Sequence, residues 1–296
     1  MRIFVTGATG FIGSVLVPEL ISAGHQVLGL TRSEAGAEKL RAAGAEFLHG
    51  NLEDLDSLRK GAERADGVIH LAFSHNFSQF EKNAADERAA IAALGEVLQG
   101  SVRPFVVTSG TALAANVDGQ PSTEDSPTAS WNPRAGLETI MQTFTERGVK
   151  TSIVRLAQIH DTHKQGLVPY FTAVAREKRV SAYIGDGGNR WPAAHVSDTA
   201  RLYRLAFENA EAGAIYHVVD EEGVAMKTIA AALGRGLKVP VVSIKPEDSQ
   251  AQFGWLSMFA GHDMPSSSSI TRQKLNWKPT GPGLIADLDA MDYTQF

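Results

Sequence analysis

Gly7, Gly10 and Gly13, spaced GxxGxxG, are the residues of this chain whose type and spacing point most directly to chemistry. Gly7 can take backbone angles closed to other residues, and Gly10 lets an anion approach the main chain. Gly13 removes a side chain that would hold a helix away from a sheet. If a helix starts here, its free N–H groups and dipole favour a pyrophosphate. Arg32 and Ser33 form a second set. A guanidinium beside small hydroxyls suits the 2′-phosphate of NADP, whereas an acidic residue there would suit the ribose hydroxyls of NAD. Asn51 and Leu52 are placed to border an adenine, and Asn51 is equally a natural helix cap. Ser109 and Thr111 offer hydroxyls to a substrate carbonyl, or else serve turn chemistry. Asp86 is either a surface charge or a buried carboxylate below an active site. His160, Asp161 and His163 are close in sequence, but as metal ligands their spacing is loose and lacks a fourth partner, so no metal is expected. His160 and Asp161 suit a substrate pocket, together with Tyr170 and His195.

The elements that must position these residues alternate regularly. Ile3-Phe4-Val5 reads as a buried strand and Val15 to Ile21 as the helix after the glycine turn. Gln26–Thr31 is the second strand. Glu46 to Leu52 is the third, turning at Gly50 before a helix opened by Glu53-Asp54-Leu55-Asp56. Gly67 to Phe73 is apolar almost throughout, as a parallel strand covered on both faces should be, with His70 a hydrogen-bonded core histidine. A long helix from about Phe77 to Leu98, a strand from Pro104 to Ser109, a polar loop over 116–132, a helix from Pro133 to Arg147 and a strand from Lys150 to Leu156 follow. The pattern predicts an α/β fold, a Rossmann-type doubly wound parallel sheet, with the dinucleotide-binding domain over residues 1–165. The alternation then gives way to a smaller substrate lobe over 166–296, parts of which return to the core. Within it a helix near Thr199 to Asn209 is expected to be capped by Ser197 or Asp198, and a strand runs from Ala214 to Val219.

Composition narrows the partners. At 296 residues with 43% hydrophobic and 21% charged residues, the chain has the make-up of an ordinary globular protein. A net charge of -5 gives no general attraction to nucleic acid or an anionic membrane. No apolar run nears the roughly 18 residues of a membrane span. The absence of cysteine excludes disulfides and thiolate chemistry and fits a reducing compartment. With the first strand starting at Arg2, no targeting peptide is expected. These features together predict a cytoplasmic protein with a small-molecule substrate.

In sum these motifs resemble the extended and atypical branch of the short-chain dehydrogenase/reductase superfamily, the NAD-dependent epimerase/dehydratase-like group. The resemblance rests on Thr6-Gly7-Ala8-Thr9-Gly10-Phe11-Ile12-Gly13, Gly50-Asn51-Leu52, Ile69-His70-Leu71-Ala72 and Val107-Thr108-Ser109. His195-Val196-Ser197-Asp198 and Leu275-Asn276-Trp277-Lys278-Pro279 extend it into the second lobe. It implies NADP(H) held by the glycine turn with Thr9, Phe11 and Ile12, and by Arg32, Ser33, Asn51, Leu52, Leu71, Ala72 and Phe73. Many relatives dimerise through the helices beside the fourth and fifth strands, which leaves a homodimer open.

The departures from the group matter as much as the matches. Its redox members carry a Tyr-x-x-x-Lys pair on the helix after the fifth strand. Counting back from Glu138, those positions fall near Ser130 and Arg134, and no tyrosine precedes Tyr170. Arg134 could keep a positive charge by the ribose but cannot act as a base. The group's asparagine on the preceding helix is replaced by Asp86, and its serine survives as Ser109 or Thr111. Three functions remain open. The first is an NADP(H)-dependent oxidoreductase acting on a small carbonyl or alcohol, with the proton supplied by Ser109, Thr111, water or Tyr170. The second is a non-redox isomerase, dehydratase or cyclase with NADP structural and acid–base work done by His160, Asp161 or His195. The third is an NADP-sensing binding protein resembling the NmrA-like branch.

Overall fold

Seven short runs, six of them mostly buried and the edge strand Glu46–His49 half-exposed, pair in parallel into one sheet. In the computed structural model, residues 1–75, 79–115, 119–129 and 132–295 are described. The strands of the sheet are β1 (Arg2–Thr6), β2 (Gln26–Thr31), β3 (Glu46–His49), β4 (Gly67–His70), β5 (Pro104–Gly110), β6 (Lys150–Leu156) and, from much later in the chain, β10 (Ala214–Val218). Their spatial order is β10-β6-β5-β4-β1-β2-β3. The order reverses between β1 and β4, and a crevice opens at the carboxyl ends of the strands at such a reversal. This is the Rossmann-type doubly wound sheet.

Alternate residues of each strand feed two apolar layers. Ile3, Val5, Ile69 and Val106 pack with α1 (Gly13–Ser22), α2 (Glu34–Ala42) and α7 (Val196–Asn209). Phe4, Val68, Phe105 and Val107 pack with α3 (Leu55–Glu63), α4 (Phe80–Leu98) and α5 (Gly136–Glu146). The period of two along each strand thus fixes which side chain meets which helix layer. A third core belongs to the second lobe. There Phe171, Trp191, Ile229, Leu233 and Leu284 join α6 (Val168–Lys178), α8 (Met226–Leu237) and α12 (Leu284–Ala290). Two small sheets support it, β11-β9-β7 and β12-β8, built from β7 (Gln158–His160), β8 (Ser181–Ile184), β9 (Arg190–His195), β11 (Glu221–Ala225) and β12 (Val241–Ile244). Short helices α9 (Ser249–Phe253) and α10 (Ser257–Ala260) complete the lobe, while α11 (Ser269–Leu275) packs back on α7 and β10 of the large sheet.

Several boundaries differ from the sequence expectation. The fourth strand stops at His70, because the Leu71 and Ala72 N–H groups turn back onto Thr6, its carbonyl at 3.3 Å and its Oγ1 at 3.3 Å. The third strand stops at His49. The long helix begins at Phe80 in the described residues, while Phe77 lies outside them. The cap of α7 is His195, whose Nδ1 accepts from the Ser197 N–H at 3.2 Å, rather than Ser197 or Asp198. Asp198 is instead fully buried in the first turn and accepts from the N–H groups of Thr280 and Gly281. Among the described residues no helix is long and apolar enough to cross a membrane.

Candidate functional site

The glycine turn sits at the carboxyl end of β1, beside the reversal of strand order. Gly7 has φ +68°, and a Cβ there would lie 2.9 Å from the Ala72 N atom, so β4 and the turn can approach only with glycine at this position. A Cβ on Gly13 would lie 2.2 Å from the Gly7 carbonyl oxygen, which fixes the second close approach. Gly10 differs. It is exposed, and a Cβ there would meet nothing within 4 Å except the Gly7 oxygen. That side of the turn is open. The start of α1 has no side-chain cap; Ser14 and Val15 N–H donate to the Gly10 and Ile12 carbonyls, which leaves the N–H groups of Phe11, Ile12 and Gly13 for an anion. Close approaches on two sides and open space on the third fit the pyrophosphate of a dinucleotide.

At the end of β2, Arg32 is exposed and has no ion pair or side-chain hydrogen bond among the described residues. Ser33 beside it caps α2 by accepting from the Gly36 N–H at 3.2 Å. The nearest carboxylate in sequence, Glu34, is drawn away by Arg41 at 2.9 Å and His49 at 3.5 Å. Asn51 Oδ1 accepts from the N–H groups of Glu53 and Asp54, making a turn ahead of α3, and the helix itself is capped by Asp54. Leu52 packs on the edge of the α3–α4 layer.

Across the crevice, Thr6 Oγ1 meets His70 Nδ1 at 2.9 Å. Burial, and after it the charge of Arg134, lowers the His70 pKa to about 3, so the ring is neutral. Arg134 is the central group of this wall. Its guanidinium forks onto Glu87 at 2.9 and 2.6 Å, donates to the Thr108 carbonyl at 3.3 Å and covers the Phe73 ring at 4.2 Å. Lys164 lies over the Phe11 ring at 5.7 Å. Desolvation, then the charges of Lys164 and Arg134, hold His75 below its ordinary value. Lys164 is thus a cation beside the glycine turn, while the charge of Arg134 is offset by its bidentate Glu87 partner.

Glu87 was not foreseen. It is 1% exposed and is the buried carboxylate of α4, whereas its neighbour Asp86 takes the surface alternative, ion-paired to Lys82 at 2.6 Å. The signal was available: Asn83, Glu87, Ala90, Ile91 and Leu94 form the buried stripe, and an acid inside that stripe needs a cation.

The expected hydroxyl donors are committed elsewhere, which corrects the reading of them as open to a substrate. Ser109 is 1% exposed and donates to Glu138 Oε1 at 2.8 Å. It alternates onto the α5 side of the sheet, where Glu138 is held by Arg155 at 2.9 and 2.7 Å and by Thr128 at 2.5 Å. Burial pushes the Glu138 carboxyl up, and the hydrogen bonds and charge of Arg155, with the two hydroxyls, bring it below its ordinary value. Thr111 Oγ1 donates to the Leu156 carbonyl at 3.2 Å. Ser130, where the family tyrosine would fall, lies outside the described residues.

Of the residues expected in the substrate pocket, His160 and His195 come together, while Asp161 and Tyr170 lie elsewhere. His160 is fully buried, with Nδ1 on Asp287 at 2.6 Å, and His195 packs edge-on to it at 5.7 Å. Asp161 Oδ1 closes a turn by accepting from the N–H groups of His163 and Lys164, each at 2.7 Å. Tyr170 stands apart in an aromatic group, edge-on to Trp255 at 5.2 Å.

Comparison with known proteins agrees with this architecture. Residues 3–220 match the NAD dependent epimerase/dehydratase family. The chain is 47% identical to the Schizosaccharomyces pombe protein named Uncharacterized protein C2A9.02, over 99% of this chain and 100% of that protein. It is 26% identical to a 4-hydroxy-2-methyl-3-oxo-4-farnesyl-3,4-dihydroquinoline-1-oxide ketoreductase of Stigmatella aurantiaca, over 85% of this chain and 78% of that one. The fold superimposes on DesIV, a dTDP-glucose 4,6-dehydratase of Streptomyces venezuelae with NAD bound, with a TM-score of 0.80 at 19% identity, covering 100% of this chain and 97% of that one.

Proposed function

The chain belongs to the NAD dependent epimerase/dehydratase family, and from that premise we propose that it is an NADP(H)-dependent oxidoreductase acting on a small organic carbonyl or alcohol. The observation that carries the cofactor choice is Arg32. It is exposed at the end of β2 and unpaired among the described residues, and the nearest acid, Glu34, is tied to Arg41 and His49. A nicotinamide ring, when bound, supplies or accepts the hydride. The chain's part is to hold and orient. The glycine turn takes the pyrophosphate, Arg32 and Ser33 the 2′-phosphate, and Arg134, fixed by Glu87, stands at the other end of the crevice. The alkoxide left on a reduced carbonyl then takes its proton from water, since the Ser109 and Thr111 hydroxyls are donating elsewhere. The similarity to a named ketoreductase supports the redox reading.

The same committed hydroxyls favour a second reading, a non-redox reaction in the cleft with NADP structural. One experiment separates the two. Purified protein given NADPH and a panel of aldehydes and ketones should lose nicotinamide absorbance, faster than with NADH. Tight NADP binding without any redox change across the panel would sink the oxidoreductase reading.

A further inference from the structure

We propose that Lys164, on the turn after β7, binds the pyrophosphate of the dinucleotide, so that the second lobe as well as the glycine turn holds the cofactor. This rests on the reading of the glycine turn as a dinucleotide site, and not on the choice of NADP or of a redox reaction. The turn that carries Lys164 is firmly built. β7 ends at His160, a fully buried ring tied to Asp287 at 2.6 Å. Asp161 Oδ1 accepts from the N–H groups of His163 and Lys164, and the Asp161 N–H donates to the Lys164 carbonyl at 2.9 Å. Gln165, fully buried, closes the other side by donating through Nε2 to the Asp161 carbonyl at 2.8 Å. Buried anchors on both sides and these hydrogen bonds across the turn fix where the Lys164 side chain starts.

Lys164 is exposed, and its Nζ has no ion pair or hydrogen bond among the described residues. The ammonium lies instead over the Phe11 ring, 5.7 Å from its centre. Phe11 is one of three consecutive residues, with Ile12 and Gly13, whose N–H groups are open to an anion at the start of α1. One residue therefore carries both the ring on which the ammonium rests and an N–H that a phosphate oxygen would take. On the opposite wall the charge of Lys164 reaches His75, where after burial it helps to hold the ring's pKa low. His75 is edge-on to Phe73 at 5.5 Å, so Lys164 stands between the glycine turn and the wall beyond β4. A ring face near the limit of about 6 Å holds an exposed ammonium weakly, and a phosphate oxygen binds it more strongly by a charge-assisted hydrogen bond. The helix N–H groups offer only partial charge, and Arg134 is already offset by its fork onto Glu87. A pyrophosphate brings two negative charges to this turn, and Lys164 is placed to meet them.

The test is calorimetric titration of the wild type, Lys164→Ala and Lys164→Arg with NADPH, NADH and adenosine 2′-monophosphate at one ionic strength. The last probe carries the 2′-phosphate without a pyrophosphate. Lys164→Ala should weaken NADPH and NADH alike, each by about tenfold, the scale of one lost hydrogen bond to a charged group. Binding of adenosine 2′-monophosphate should move by less than about twofold. Lys164→Arg should retain most of the dinucleotide affinity, and the salt dependence of NADPH binding should be shallower in Lys164→Ala. The side chain makes no internal hydrogen bond, so the melting temperature without ligand should not change. Dinucleotide affinity unaltered in Lys164→Ala, an equal loss for adenosine 2′-monophosphate, or a loss as large in Lys164→Arg overturns the inference. A wild-type protein that binds neither dinucleotide would remove the reading of the glycine turn itself, and the inference with it.

Discussion

Replacing Arg32 by alanine tests the cofactor assignment most directly. Arg32 has no ion pair or side-chain hydrogen bond among the described residues, so removing it breaks no internal contact and should change stability by no more than about 0.5 kcal/mol. What changes is the charge available to a 2′-phosphate. A hydrogen bond to a charged group contributes about 1.5–3 kcal/mol, and each 1.4 kcal/mol is about tenfold in affinity. The exposure of Arg32 favours the lower end of that range, because solvent and salt screen the interaction. The dissociation constant for NADPH should therefore rise about tenfold, while that for NADH moves by less than about twofold. Fluorescence titration of both nucleotides at one fixed ionic strength gives the two ratios. Raising the salt should shrink the wild-type preference in the same sense. Equal losses for both nucleotides, or a wild-type protein that prefers NADH, would refute the argument, because the guanidinium would then not be reading the phosphate.

Gly10→Val should abolish nucleotide binding, since beyond the Gly7 oxygen at 3.1 Å its side chain would enter the open space above the turn; a variant that still bound NADPH normally would place the pyrophosphate elsewhere. Arg155→Met should cost about 3–5 kcal/mol in chemical denaturation, because it leaves the Glu138 carboxylate buried without its cation; a loss below about 1 kcal/mol would mean that Ser109 and Thr128 suffice. Burial, then the charge of Arg155, lowers the His217 pKa to about 4. Between that value and 6.5 the unfolded chain binds a proton that the folded protein does not, so this stability is complete above pH 6.5 and declines as pH falls toward 4, by about 3 kcal/mol. His217→Asn should flatten that stretch of a stability–pH curve, and an unchanged slope would assign the acid sensitivity to other groups.

Much of the Rossmann half was legible because its signals are local. The strands at Gln26–Thr31 and Lys150–Leu156 fall where the apolar runs place them, and the glycine turn follows the first strand directly. The fourth strand was read three residues too long. Leu71, Ala72 and Phe73 continue the apolar composition while their backbone has already left the sheet to wall the crevice. The strands β7, β9 and β11 escaped notice, as they are short and pair only with each other. The cap of α7 was read as Ser197 or Asp198 rather than His195, because histidine is not a usual choice there.

The sequence by itself determined the glycine turn proposed to hold the pyrophosphate. Seven residues from Gly7 to Gly13 contain both the backbone freedom and the open side that an anion needs, and Arg32 follows at the end of the next strand. Only the tertiary structure decided which polar groups remain available for chemistry. Ser109 looks like a free hydroxyl until β5 is set against α5, where Glu138, 29 residues on, accepts its proton. Asp86 and Glu87 are equivalent in composition until the rotation of α4 sends one to Lys82 at the surface and the other to Arg134 in the interior. A hydroxyl or carboxylate is defined by what it is paired with, and here the partners lie 29 and 47 residues away in the chain.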